Sequence, residues 1–169
     1  MWFDDIVDVI RNNQRIPSIH VNGKVIWPFT FTSYAIEFEV VGGEYANVCL
    51  DGMGWGDELG YIHREDVNYA QYYDGQWHGL TSSEISHACE DDGNALQLYC
   101  NQLRFVIEAA GRSTFNAFCF KTPQYYAPTA SIRVSVIGNR SGYDSITLAS
   151  KIITQAPNTL YVLTRDIFD

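Results

Sequence analysis

A chain of 169 residues with 20 acidic and 11 basic side chains carries a net charge of -9, and its length suits one domain that buries a core without metal or disulfide staples. That balance argues against a nucleic-acid groove, because a phosphate backbone rewards clustered Lys and Arg and the basic residues here are dispersed. No apolar run approaches the ~20 residues of a membrane-spanning helix, and Asp4, Asp5 and Asp8 stand where a secretory leader would be basic and then apolar; the expectation is an intracellular chain at synthesis.

In chain order, Trp2, Ile6, Val9 and Ile10 recur at helical spacing, with Phe3 and Val7 widening the stripe. Asp4, Asp5, Asp8, Arg11, Asn12 and Arg15 fall opposite, acids first and arginines last, as the helix dipole favours. The pattern predicts a short amphipathic helix over residues 2–15, weakened by Asn12-Asn13 and stopped by Pro17. Residues 1–16 then form a helical arm or cap. A helix this short is marginal alone in water and needs a partner surface, either the β-core of its own chain or a neighbouring subunit reached through Trp2, Phe3, Ile6 and Ile10. Its acidic polar face would be repelled by anionic lipid, so no membrane partner is expected.

Asn22-Gly23, flanked by Ile19-His20-Val21 and Lys24-Val25-Ile26-Trp27, is a hairpin signal, since both central residues tolerate left-handed dihedrals. Tyr34, Ile36, Phe38 and Val40 then alternate with Ala35, Glu37 and Glu39, which predicts a half-buried strand with its acids toward solvent. Residues 51–94 read as an irregular, aromatic-rich insertion, broken by Gly52, Gly54, Gly56 and Gly60 and carrying Thr81-Ser82-Ser83-Glu84, in which Ser83 or Thr81 serves as the cap of one or two helical turns. Beyond it the β-pattern returns. Leu103, Phe105 and Ile107 are expected to face Phe115, Ala117 and Cys119 across a hairpin. Ile132, Val134 and Val136, then Ile146 and Leu148, then residues 160–163 supply further strands. Strands separated by turns rather than helices indicate an all-β fold: an antiparallel sandwich or jelly-roll-like domain over residues 17–169, with a short N-terminal helix.

The chemistry-bearing residues form no recognised motif. There is no Gly-x-Ser-x-Gly elbow and no phosphate loop, and His20, His63, His78 and His87 are dispersed, with no i, i+4 pair for zinc. Cys49, Cys89, Cys100 and Cys119 lack a Cys-x-x-Cys spacing and are read as buried thiols. Asp51, Asp57 and Glu58, and likewise Asp91, Asp92 and Asn94, offer oxygens to calcium but miss the EF-hand spacing, so they read as solvated acidic turns. The expectation is a protein without catalysis, cofactor or metal. The aromatics of the insertion remain. Trp55, Tyr72 and Trp77 are candidate interface residues, because Trp and Tyr combine large apolar area with a polar tip. Trp55, Tyr61, Tyr73 and Trp77 are candidate glycan-binding residues, a flat ring beside hydrogen-bonding groups suiting a polar ligand with apolar faces.

The N-terminal segment, the run from Val21 to Pro28 and the acidic, aromatic-rich β-body together resemble small structural proteins of tailed-phage virions, among them tail, connector and decoration components. The likeness lies in overall organisation, carries no diagnostic motif and transfers no residue role. It implies a homo-oligomer or contacts with other structural proteins, docking of terminal arms onto neighbours, and residence in a virion assembled in the host cytoplasm. The competing expectation is a carbohydrate-binding module, in the cytoplasm if not in a particle.

Overall fold

A computed structural model describes residues 10–11, 14–15, 19–21, 24–27, 31–42, 47–56, 59, 67–109, 115–124, 131–140 and 143–164. Among these are fifteen strands and one helix. Four short strands come first, β1 (Ile10–Arg11), β2 (Gln14–Arg15), β3 (Ile19–Val21) and β4 (Lys24–Trp27). The body follows with β5 (Ser33–Gly42), β6 (Asn47–Leu50), β7 (Met53–Trp55), β8 (Val67–Tyr73), β9 (Gln76–Gly79), α1 (Ser82–Cys89), β10 (Leu96–Tyr99), β11 (Gln102–Glu108), β12 (Ala117–Lys121), β13 (Ser131–Arg140), β14 (Tyr143–Thr154) and β15 (Leu160–Thr164).

The protein is an all-β antiparallel sandwich. One layer is a six-stranded sheet in the order β14-β13-β5-β11-β8-β9. The other combines a three-stranded sheet, β15-β12-β7, with the pair β10-β6. The chain turns between β6 and β7 at Asp51 and Gly52, where both backbones bond to β12: Asp51 N–H donates to the Lys121 carbonyl at 2.9 Å and Lys121 N–H to the Gly52 carbonyl at 3.0 Å. Gly52 takes φ +106° there, a conformation that L side chains rarely adopt.

Period-two alternation selects the core. On β5, Tyr34, Ile36 and Phe38 are buried, and the register sets them beside Ile107, Phe105 and Leu103 of β11, which are buried as well. Val134 and Val136 of β13 flank the same row. Phe118 and Phe120 of β12 close the core from the second layer. Phe38 shows the join directly, its ring 6.2 Å from Phe105 within the sheet and 5.2 Å from Phe120 across the layers, both edge to face. Such pairs contribute about 0.5–1.5 kcal/mol beyond their area. At the end of β13, Gly138 admits the Phe31 ring; a Cβ there would stand 2.3 Å from Phe31 Cε1.

Three expectations change. The helix over residues 2–15 is not present as such: Ile10 and Arg11 pair antiparallel with Arg15 and Gln14, an extended arrangement, while residues 1–9 lie outside the described residues. Among the described residues the one helix is α1, in the middle of the chain. Strands β11 and β12 do not form a hairpin. β11 ladders with β5 and β8, and β12 with β7 and β15, so the chain crosses from one layer to the other and their apolar faces meet through the core. Lastly, the stretch from 51 to 94 is built into the body, supplying β7 to the second layer and the β8–β9 hairpin to the edge of the first.

Candidate interaction surfaces

The first candidate surface is the N-terminal segment. β1 pairs with β2, and β3 with β4, each as a two-stranded sheet with no further ladder among the described residues. In the second hairpin Val21 opposes Lys24, leaving residues 22 and 23 as the connection that Asn-Gly predicts, and a register shift lies between Ile19 and His20. An isolated two-stranded hairpin is marginal in water at best and gains stability by packing on another surface.

The second is the outer face of the six-stranded sheet, the side away from the core. Since Phe38, Leu103 and Val134 point inward, their neighbours along each strand point outward. The registers align them in two cross-strand rows. One runs Ile152, Arg133, Glu39, Gln102, Tyr72, Trp77. The next runs Ser150, Ser135, Glu37, Arg104, Ala70, Gly79. Ion pairs join adjacent strands: Arg104 Nε and Nη2 both reach Glu37 Oε1 at 2.6 Å, and Arg133 Nη1 donates to Glu39 Oε2. Next to Arg104 the register positions are alanine and glycine. Its guanidinium lies over the Trp77 ring, 5.0 Å from the centroid, a cation–π contact. Tyr72 meets Trp77 from the adjacent strand at 5.3 Å. Even so, Trp77 remains 43% exposed and Ile152 59%. Glu37, Glu39, Gln102, Arg104 and Trp77 enclose a shallow cleft whose floor is the β5–β11 backbone at Phe38 and Leu103.

Of the site residues expected from sequence, Trp2, Phe3, Ile6 and Tyr61 lie outside the described residues. Ile10 stands in β1. Tyr72 and Trp77 come together on the outer face. Trp55 does not join them: it sits in the second layer, packed against the core with Tyr34 at 5.2 Å, Phe118 at 5.9 Å and Phe115 at 6.2 Å. Tyr73 follows Tyr72 on β8 and so points to the other side of the sheet, where it stacks on His78 at 3.9 Å. The glycan constellation of Trp55, Tyr61, Tyr73 and Trp77 is therefore divided, because alternation separates Tyr73 from Trp77 and the layer separates Trp55 from both. Glu37, Gln102, Arg104 and Arg133 went unnoticed as site residues. The alternation of β5 marked its acids as outward, but only the strand order brings the arginines beside them.

Titratable groups also gather where α1 meets the second layer. Asp51 is buried, and burial first, then the neighbouring Asp91, raises its pKa above the ordinary carboxylate value, with Lys121 opposing. Lys121 Nζ bonds Asp91 Oδ1 at 2.7 Å. Ser83 Oγ lies 3.4 Å from His87 Nε2, and His87 Nδ1 lies 3.5 Å from Asp92 Oδ2. That order of groups resembles a hydrolytic relay, but both legs exceed the ~2.6–3.2 Å reach of an activated nucleophile, and Ser83 stands on an exposed helical turn. Among the described residues no three His, Cys, Asp or Glu side chains converge as a metal site. The four cysteines are buried thiols. Burial pushes Cys49, Cys89 and Cys100 up to about 12, which leaves them protonated at neutral pH.

Comparison of the chain with known protein families, with curated proteins and with solved structures gives no match.

Proposed function

We propose that this protein is a noncatalytic structural component that forms symmetric contacts with copies of itself or with other structural proteins, as in a virion. The observation that carries this reading is the N-terminal segment: two hairpins that ladder only within themselves among the described residues. Hairpins of this size acquire lasting structure by docking, and a neighbouring subunit offers a surface at no cost in chain length. Fully burying an apolar side chain of Val or Ile size in such a contact contributes about 1.5–3 kcal/mol before ordering costs. Symmetry repeats that gain at every equivalent contact.

The edges of the six-stranded sheet, β9 and β14 among the described residues, support docking by an arm rather than growth by strand addition. β9 is four residues long. On β14 Lys151 opposes the core-facing Val134, so an exposed charge sits on the inner side of an edge strand. Both features discourage edge-to-edge pairing.

The test is solution mass by light scattering for the wild type and for a Val21→Asp, Val25→Asp variant. The expected outcome is an ordered oligomer for the wild type and a folded monomer for the variant. A monomeric wild type at every concentration, or a variant that melts earlier with its mass unchanged, would mean that the hairpins cap their own sandwich.

A further inference from the structure

We propose that the cleft beside Trp77 on the outer face of the six-stranded sheet binds an uncharged carbohydrate. The inference is independent of the assembly reading, which rests on the N-terminal hairpins.

Five side chains from three strands border the cleft: Glu37 and Glu39 of β5, Gln102 and Arg104 of β11, and Trp77 of β9. They include carboxylate acceptors, guanidinium donors and one amide that does both. A sugar ring presents the matching inventory, since each hydroxyl both donates and accepts while the C–H face is apolar enough to lie against an indole. Arg104 and Glu37 are held against each other beforehand. Arg104 is fixed by Glu37 at 2.6 Å and packs over Trp77 at 5.0 Å, which limits the side-chain entropy lost on binding. All five stand on strands rather than loops, with the floor formed by backbone whose own side chains, Phe38 and Leu103, are buried in the core.

Charge decides which ligand fits. Each of the two glutamates is paired with an arginine, Glu37 with Arg104 and Glu39 with Arg133, so these four groups sum to zero. A cleft neutral in itself, with Glu108 exposed farther along the same face of β11, gives no net attraction to an anionic glycan or a phosphate, and it suits a ligand that is polar and uncharged. The same pairs argue against a dry protein contact here. Interface cores are depleted of charged residues, and burying an ion pair costs several kcal/mol of desolvation for each ion. Sugar hydroxyls instead replace the water on those ions with comparable hydrogen bonds.

The experiment is isothermal titration of the full chain with maltohexaose, cellohexaose, mannohexaose and fully N-acetylated chitohexaose, and with a hyaluronan hexasaccharide as the anionic comparison. The expected result is saturable binding of a neutral hexasaccharide that weakens by about tenfold or more in both Trp77→Ala and Gln102→Ala. Ile152→Ala, on the far side of the same face, should bind as the wild type does, and solution mass should be the same in all variants. Failure of every neutral hexasaccharide to bind, a preference for hyaluronan, or binding indifferent to both cleft variants would overturn the proposal. A change of oligomeric mass in Trp77→Ala would also overturn it and make the cleft a protein contact. The assembly reading fails separately, by the mass of the hairpin variant.

Discussion

Asp51 shows how one residue's position sets its chemistry. It lies at the turn between β6 and β7, buried, with Oδ1 lacking a hydrogen-bond partner and with Asp91 and Lys121 as charged neighbours. Its folded pKa is raised, so the folded state holds the proton more tightly than the unfolded chain does. The resulting stabilisation is complete below the ordinary value of 3.8 and is lost as pH rises through the raised one. The contribution of Asp51 to stability therefore falls as pH rises from the acid side. Asp51→Asn should raise the urea midpoint at pH 7, with the advantage shrinking toward pH 4; an equal change at both pH values would contradict this account. In sequence Asp51 looked like one acid of a solvated, glycine-rich turn. Its burial depends on strand β12 and the loop after α1 closing over it, a tertiary consequence that local composition does not carry.

At the scale of elements, local chemistry was legible wherever a motif is self-sufficient. Thr81 caps α1 as the Thr-x-x-Glu pattern predicts: Glu84 N–H donates to Thr81 Oγ1 at 3.4 Å, and Thr81 N–H donates to Glu84 Oε2 at 2.6 Å. Removing the cap hydroxyl with Thr81→Ala should cost about 1 kcal/mol, read as a lower melting temperature; a loss below the error of the measurement would mean that packing of Ile85, Ala88 and Cys89 alone holds the helix. The Asn22-Gly23 hairpin was legible for the same reason. In the N-terminal segment the pairing of β1 with β2 departs from the helical expectation. Ile6, Val9 and Ile10 satisfy helical spacing, yet Arg11 pairs with Gln14, leaving Asn12-Asn13 as a two-residue connection. A few apolar residues at helical spacing do not exclude a short antiparallel pairing, which the register of Ile10 with Arg15 shows. The β11–β12 crossing was illegible for a different reason. An alternating strand has the same pattern whichever layer it joins, so only contacts such as Phe38 with Phe120 assign it.

For the whole molecule, composition and alternation were enough to indicate an antiparallel sandwich, because residues destined for two facing sheets must alternate whatever their order. The order itself was hidden, and with it the outer face. Tyr72 and Trp77 were recognisable as aromatics, but their company of Glu37, Gln102, Arg104 and Arg133 follows from β8 pairing with β11 and β11 with β5. Trp55, equally conspicuous in sequence, is partly buried and packs against the core from the second layer. The resulting molecule has a sandwich whose six-stranded sheet ends in the short β9 and in β14, an outer face lined with ion pairs, and an N-terminal pair of two-stranded hairpins for which we propose a partner surface. The claim that this surface belongs to a neighbour is tested most directly by amide hydrogen exchange on β3 and β4, followed from dilute protein to the assembled state. Docking in trans predicts rapid exchange when dilute and strong protection on assembly, while the core strands β5 and β11 stay protected throughout. Equal protection of β3 and β4 in the dilute monomer would contradict it and return the hairpins to their own sandwich.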